Sequence, residues 1–106
     1  MDLSDFRVRL TPVFRRYQIR KALVFGSFAR GDVLRHSDLD LILIQQTELR
    51  FMDRYDGLLH DLGCAVSERE IDVLIYTPEE LAELADRPFI ARALREGKTI
   101  YESSEE

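Results

Sequence analysis

The sequence predicts an α+β fold: one small β-sheet covered mainly on one face by helices. Three observations carry this. Apolar residues recur at three- and four-residue steps near both ends and in the middle of the chain, the period of a buried helix face. Between these stretches lie short apolar runs, "KALVF", "LDLILI" and "EIDVLIY", which read as strands. The chain has 106 residues, 45% of them apolar and 33% charged, a composition suited to one globular domain with a modest core. Residues 1–106 are therefore expected to form a single domain.

The elements follow in order. Leu3, Phe6, Leu10, Val13, Phe14 and Tyr17 lie on one helical face, with Pro12 marking a kink or an earlier start. Lys21 to Phe25 and Leu39 to Ile44 read as strands. Glu48 to Leu62 returns to helical period, with Leu49, Met52, Leu59 and Leu62 on one side. Glu70 to Tyr76 is a third strand. Thr77 then caps a helix, Pro78 suits its first position, and Glu80 completes a capping box. Pro88 opens a last helix that Gly97 stops. Lys98 to Glu102 forms a short final strand.

Composition excludes several functions. The net charge is −5, which argues against a broad basic face and hence against direct nucleic-acid binding. The basic residues concentrate before position 55, so an anionic ligand is drawn to that half. No apolar run approaches the length of a membrane span. The N-terminus "MDLSDFRVRL" has no apolar signal region, so a cytoplasmic protein is expected. Cys64 is the single cysteine and makes neither an internal disulfide nor a cysteine metal site. Its apolar context, "LGCAV", predicts a buried thiol. His36 is expected to be an exposed loop residue.

The chemistry is concentrated in "VFGSFARGDVLRHSDLDLILI", Val24 to Ile44. Gly26 permits a tight turn at a strand end, and Ser27 is placed to cap a short helix whose free N–H groups bind phosphate. Arg30, one turn on, reaches the same phosphates. Read alone, Gly-Ser is also an ordinary turn. Asp38 and Asp40 are two residues apart, so in a strand they face one side. Read alone, they also fit a turn and a solvated edge. Asp72 adds a third carboxylate inside an apolar strand, where a charge needs a partner or a role. If its strand pairs with that of Asp40, three carboxylates meet on one sheet surface, an arrangement that holds metal for phosphoryl transfer. Glu70 shares its parity but falls at the strand's exposed start.

Gly26-Ser27, ten residues, Asp38-x-Asp40, and later Asp72 in a strand resemble the DNA polymerase beta-like nucleotidyltransferase superfamily, in particular its minimal nucleotidyltransferases. The resemblance implies a small mixed sheet backed by helices. It implies that Asp38 and Asp40 bind Mg²⁺ and, through it, the phosphates of ATP. It implies that Gly26 and Ser27 hold the triphosphate, and that Asp72 binds the catalytic metal and helps activate the attacking hydroxyl. It also implies a partner, since minimal nucleotidyltransferases pair with helical HEPN ribonuclease toxins and act as antitoxins that move AMP from ATP to a toxin tyrosine. Two alternatives stay open: an antitoxin that neutralises its partner by binding alone, and an enzyme acting on a small hydroxylated molecule.

Overall fold

In the computed structural model, residues 3–33 and 37–103 are described. His36 and Arg35 lie outside them. The N-terminal helix α1, Leu3–Arg16, buries Phe6, Leu10 and Phe14, the spacing read from the sequence. It runs through Pro12 as one element. A proline inside a helix leaves the carbonyl four residues earlier without its usual partner. Here that residue is Val8, 72% exposed, so water can reach the site.

Strand β1, Ile19–Phe25, leads into a four-residue helix α2, Ser27–Arg30, and β2, Leu39–Gln45, follows. A 3-10 turn, Phe51–Tyr55, and helix α3, Leu58–Ala65, carry the chain across to β3, Ile71–Tyr76. Helices α4, Pro78–Leu84, and α5, Pro88–Glu96, precede the last strand β4, Lys98–Glu102. The sheet has the order β3-β2-β1-β4. The β1 strand is antiparallel to both β2 and β4, whereas β2 and β3 run parallel. The sheet is thus mixed, as the family resemblance implies.

The larger core lies on one face, where Phe6, Leu10, Phe14, Leu58 and Leu62 meet Ala22, Val24, Leu39, Leu41, Leu43, Ile75 and Ile100. The other face is also covered, by a smaller layer in which Ile90 and Ala93 of α5 pack on Leu23 and Ile42. Alternation along β2 explains both: odd positions from 39 to 43 point to α1 and α3, and Ile42 points to α5. None of the helices among the described residues is long and apolar enough to cross a membrane.

The continuous middle helix expected over Glu48 to Leu62 does not form. Gly57 takes φ 75° and separates the 3-10 turn from α3. A Cβ there would sit 2.9 Å from the Tyr17 hydroxyl, which donates to Asp61 at 2.6 Å. Leu49, Met52 and Leu59 are consequently exposed, contrary to the sequence reading, and Leu58 takes the inward place. Cys64 is exposed too, not buried. The buried stripe of this region is Leu58, Leu62 and Val66, at four-residue steps, and Cys64 falls off it.

Beyond the break, Arg54 is only 6% exposed. Its guanidinium donates to the carbonyls of Leu49 and Ile75 and makes a two-point contact with Glu80, at 2.6 and 3.0 Å. Glu80 also closes the expected capping box with Thr77. The arginine holds the Glu80 carboxyl down at about 2. Removing the arginine leaves the carbonyls of Leu49 and Ile75 without their donor. Arg54→Ala is therefore expected to lose about 2 kcal/mol of unfolding free energy in urea titrations at pH 7. The Glu80 contribution is fully present above its unfolded value near 4.5 and fades as pH falls toward about 2. The stability gap between wild type and Glu80→Gln should accordingly narrow between pH 5 and pH 3.

Candidate active site

The sheet register assembles the acidic centre. In the parallel ladder Asp40 stands directly beside Asp72, and in the antiparallel ladder it stands beside Phe25. The Leu39 amide donates to the Glu70 carbonyl at 2.8 Å and ties the starts of β2 and β3 together. Asp40 and Asp72 therefore occupy one face of the sheet, the face that α5 covers further along. Asp38 is exposed and lines the same cleft as Asp40. Asp72 is exposed as well, although it lies inside an apolar run of sequence. The apolar run around it belongs to an edge strand, β3, so its side chain keeps contact with water.

Asp40 is half-buried. Burial, the charges of Asp72 and Asp38, and a hydrogen bond with Asp72 push its carboxyl up to about 6, and the Arg30 charge opposes the shift. Three acids are held near one another without enough positive charge to neutralise them.

The glycine-serine turn is built against this acid. Gly26 has φ 72°, and a Cβ on it would collide with Asp40 Oδ2. Only glycine meets both conditions without strain. Its carbonyl accepts the amides of Ala29 and Arg30, and the Ser27 carbonyl accepts those of Gly31 and Asp32. Ser27 was expected as the helix cap. Gly26 is the cap residue, and Ser27 is the first residue inside α2 with no side-chain capping bond. Its side chain lines the cleft.

The cleft has a volume of about 360 Å³ and brings together Gly26, Ser27, Arg30, Asp38 and Asp40. Asp72 flanks it through the pairing with Asp40. Arg30 already has partners: Asp32 at 3.4 Å and Glu96 at 3.7 Å. A phosphate competes with these exposed pairs, which are individually weak. Five further residues line it, Phe25 and Ala93 together with Phe89, Arg92 and Glu96, and the last three were missed in the sequence. They lie three and four residues apart on α5, a second stripe beside the buried Ile90 and Ala93. That spacing was visible in the sequence, but only the fold tells which way the stripe faces.

Arg69 was also missed. It donates to the Ser37 carbonyl at 3.1 Å and its guanidinium lies 5.1 Å from the centroid of the Phe28 ring. It thus ties the residue before Asp38 to the residue after Ser27.

The donor set suits a hard cation, being carboxylate oxygen without nitrogen or sulfur. Burial first and the neighbouring acids second hold the Asp40 carboxyl up, and a cation relieves the repulsion among the acids. Among the described residues no group of three carboxylate, imidazole or thiol side chains forms a ready-made metal cage. That looser set fits Mg²⁺, which takes one or two carboxylates and completes its shell with phosphate oxygens and water.

The Asp40 shift makes the metal-free centre a source of instability. Its folded value of about 6 lies above its unfolded one, so the penalty is absent below about 3.8 and complete above about 6. Without divalent metal, Asp40→Asn should raise unfolding free energy at pH 7.5 by about 1 kcal/mol, allowing for solvent screening. The gain should vanish near pH 4. Gly26→Ala should lower stability by about 1–3 kcal/mol for the left-handed backbone alone. Urea titrations of the three proteins at both pH values check these outcomes.

The family model described as "Polymerase beta, Nucleotidyltransferase" matches residues 9–106. A protein of Methanocaldococcus jannaschii named "Putative protein adenylyltransferase" is 28% identical over 87 residues, covering 81% of this chain and 82% of that one. A solved structure described as a "putative minimal nucleotidyltransferase" is 31% identical with a TM-score of 0.62, covering 92% of this chain and 95% of the other. The fold is also shared with a complex of a tri-AMPylated HEPN toxin and an MNT antitoxin from Shewanella oneidensis, at 14% identity and a TM-score of 0.58, over 92% of this chain and 71% of that one. With nearly all of its length matched by the family model, the chain belongs to the polymerase beta nucleotidyltransferases.

Proposed function

We propose that this chain is a Mg²⁺-dependent protein adenylyltransferase that moves AMP from ATP to a tyrosine of a HEPN-type toxin, acting as its antitoxin in the cytoplasm. One observation carries the chemistry: the in-register pair Asp40–Asp72, with Asp38, beside a glycine turn whose missing side chain lets the Asp40 carboxylate lie against the backbone. The partner is suggested by the AMPylated HEPN toxin in the complex of similar fold.

The roles follow from position. Gly26 and Ser27 line the cleft at the end of β1 and receive the triphosphate, and Arg30 exchanges Glu96 or Asp32 for a phosphate oxygen. Asp38, Asp40 and Asp72 would hold the magnesium together with the nucleotide. When bound, the ion supplies the positive charge that offsets both the carboxylates and the phosphates. Asp72, open to solvent at the sheet edge, accepts the proton of the incoming tyrosine hydroxyl. The hydroxyl oxygen bonds to the α-phosphorus as the bond between that phosphorus and the α–β bridging oxygen breaks, and pyrophosphate leaves. Alignment and charge stabilisation supply most of the rate.

The experiment is intact-mass spectrometry of a cognate HEPN protein incubated with this chain, ATP and Mg²⁺. The expected outcome is the added mass of AMP, mapped to tyrosine. Asp40→Asn and Asp72→Asn should each reduce the rate by about 100-fold or more, and chelation of the metal should abolish it. A folded wild-type protein that binds its partner but transfers nothing would overturn the catalytic reading in favour of neutralisation by binding.

A further inference from the structure

The cleft has an aromatic wall that the transfer reaction leaves unused. Phe89 lines it and is 57% exposed, whereas its neighbours Ile90 and Ala93 on the same helix are buried. Exposing a large apolar ring is unfavourable in the free protein. Phe25 fixes the ring from below, edge to face, with centroids 5.7 Å apart and planes at 86°. Phe25 also precedes Gly26 and pairs with Asp40. The ring is thus positioned by the residue that leads into the phosphate turn, and at least part of its surface stays open.

We infer that Phe89 is the platform on which the base of the donor nucleotide stacks; this rests on the nucleotidyl-transfer reading of the same cleft. A nucleotide is a planar ring system joined to a polyanion. The cleft matches that division. It has a glycine turn, Arg30 and two aspartates among its lining, and an aromatic ring with the cation Arg92 one turn further along α5. Its volume, about 360 Å³, falls in the range of small-ligand sites. Among the described residues, the lining offers a base the open ring of Phe89 as a stacking face. Stacking on an aromatic side chain contributes about 1–3 kcal/mol per base.

The test separates base from phosphates. The probes are α,β-methylene-ATP, which cannot release pyrophosphate, and inorganic triphosphate, each with Mg²⁺. Phe89→Ala should weaken the analogue by about 5- to 100-fold and leave triphosphate affinity within about twofold. The chain contains no tryptophan, so Phe89→Trp places a single tryptophan, excited selectively over the four tyrosines, at the platform. It should bind the analogue at least as well as wild type, and its emission should be quenched by the analogue but not by triphosphate. Equal effects of Phe89→Ala on both probes, or Phe89→Trp emission indifferent to saturating analogue, would overturn the base platform alone. Wild-type protein that binds neither probe overturns the nucleotidyl-transfer reading, and the platform with it.

Discussion

Gly26 has no side chain because Asp40 occupies the space where one would lie. This exclusion fixes the active end of the molecule. The left-handed turn at Gly26 sends the chain from β1 into α2 while keeping its backbone against the central acid. The antiparallel pairing of Phe25 with Asp40 sets the register that makes the contact unavoidable. Any side chain at position 26 must displace the carboxylate, and any shift of register by one residue moves that carboxylate to the opposite face.

The crossover from β2 to β3 then completes the centre at long range. Because β3 runs parallel to β2, positions 40 and 72 become neighbours although 32 residues separate them in the chain. The intervening segment must pass over the sheet and pack on α1. Gly57 breaks that segment where Tyr17 needs room, and Arg54 anchors the break to β3 and α4 through Ile75 and Glu80. The anchor is strongly paired, whereas the central acid is not. Asp40 retains like-charged neighbours and a carboxyl held up near 6. Stability is concentrated in the support and withheld from the centre, as expected where ionisable groups are arranged for chemistry.

Much of this was legible in the sequence, for reasons that differ by element. The capping box at Thr77, the apolar period of α1 and the alternation of β2 are local properties, and local physics decides them. Asp38 and Asp40 alone fit a turn, and they could be grouped with Asp72 because an acid inside an apolar strand is unusual and that strand can pair with theirs. The middle helix was misread because the fate of Leu49, Met52 and Leu59 depends on Tyr17 meeting Gly57, a contact between distant segments. Cys64 was misread for the same reason: an apolar neighbourhood in sequence does not say which side of α3 is inward. Phe89, Arg92 and Glu96 escaped notice because a second stripe on a helix acquires meaning only once the first is docked on the sheet.

The charges around the cleft also bear on how it would fill. Asp38, Asp40 and Glu96 line it, Asp72 adjoins it, and Arg30 and Arg92 are the cations of its wall. Both arginines are already paired with Glu96, at 3.7 and 3.2 Å. A triphosphate entering alone meets more acids than cations among the described lining residues, and a cation entering alone finds no closed cage among the described residues. On the proposed reading each ligand removes the obstacle to the other: the cation screens the acids from the phosphates, and the phosphates complete the ligand shell that the acids leave open. Binding of the two is then coupled and reciprocal. The coupling follows from having several acids and, among the described residues of the cleft, arginines that are already engaged, and the register of Asp40 with Phe25 and Asp72 is what collects the acids there.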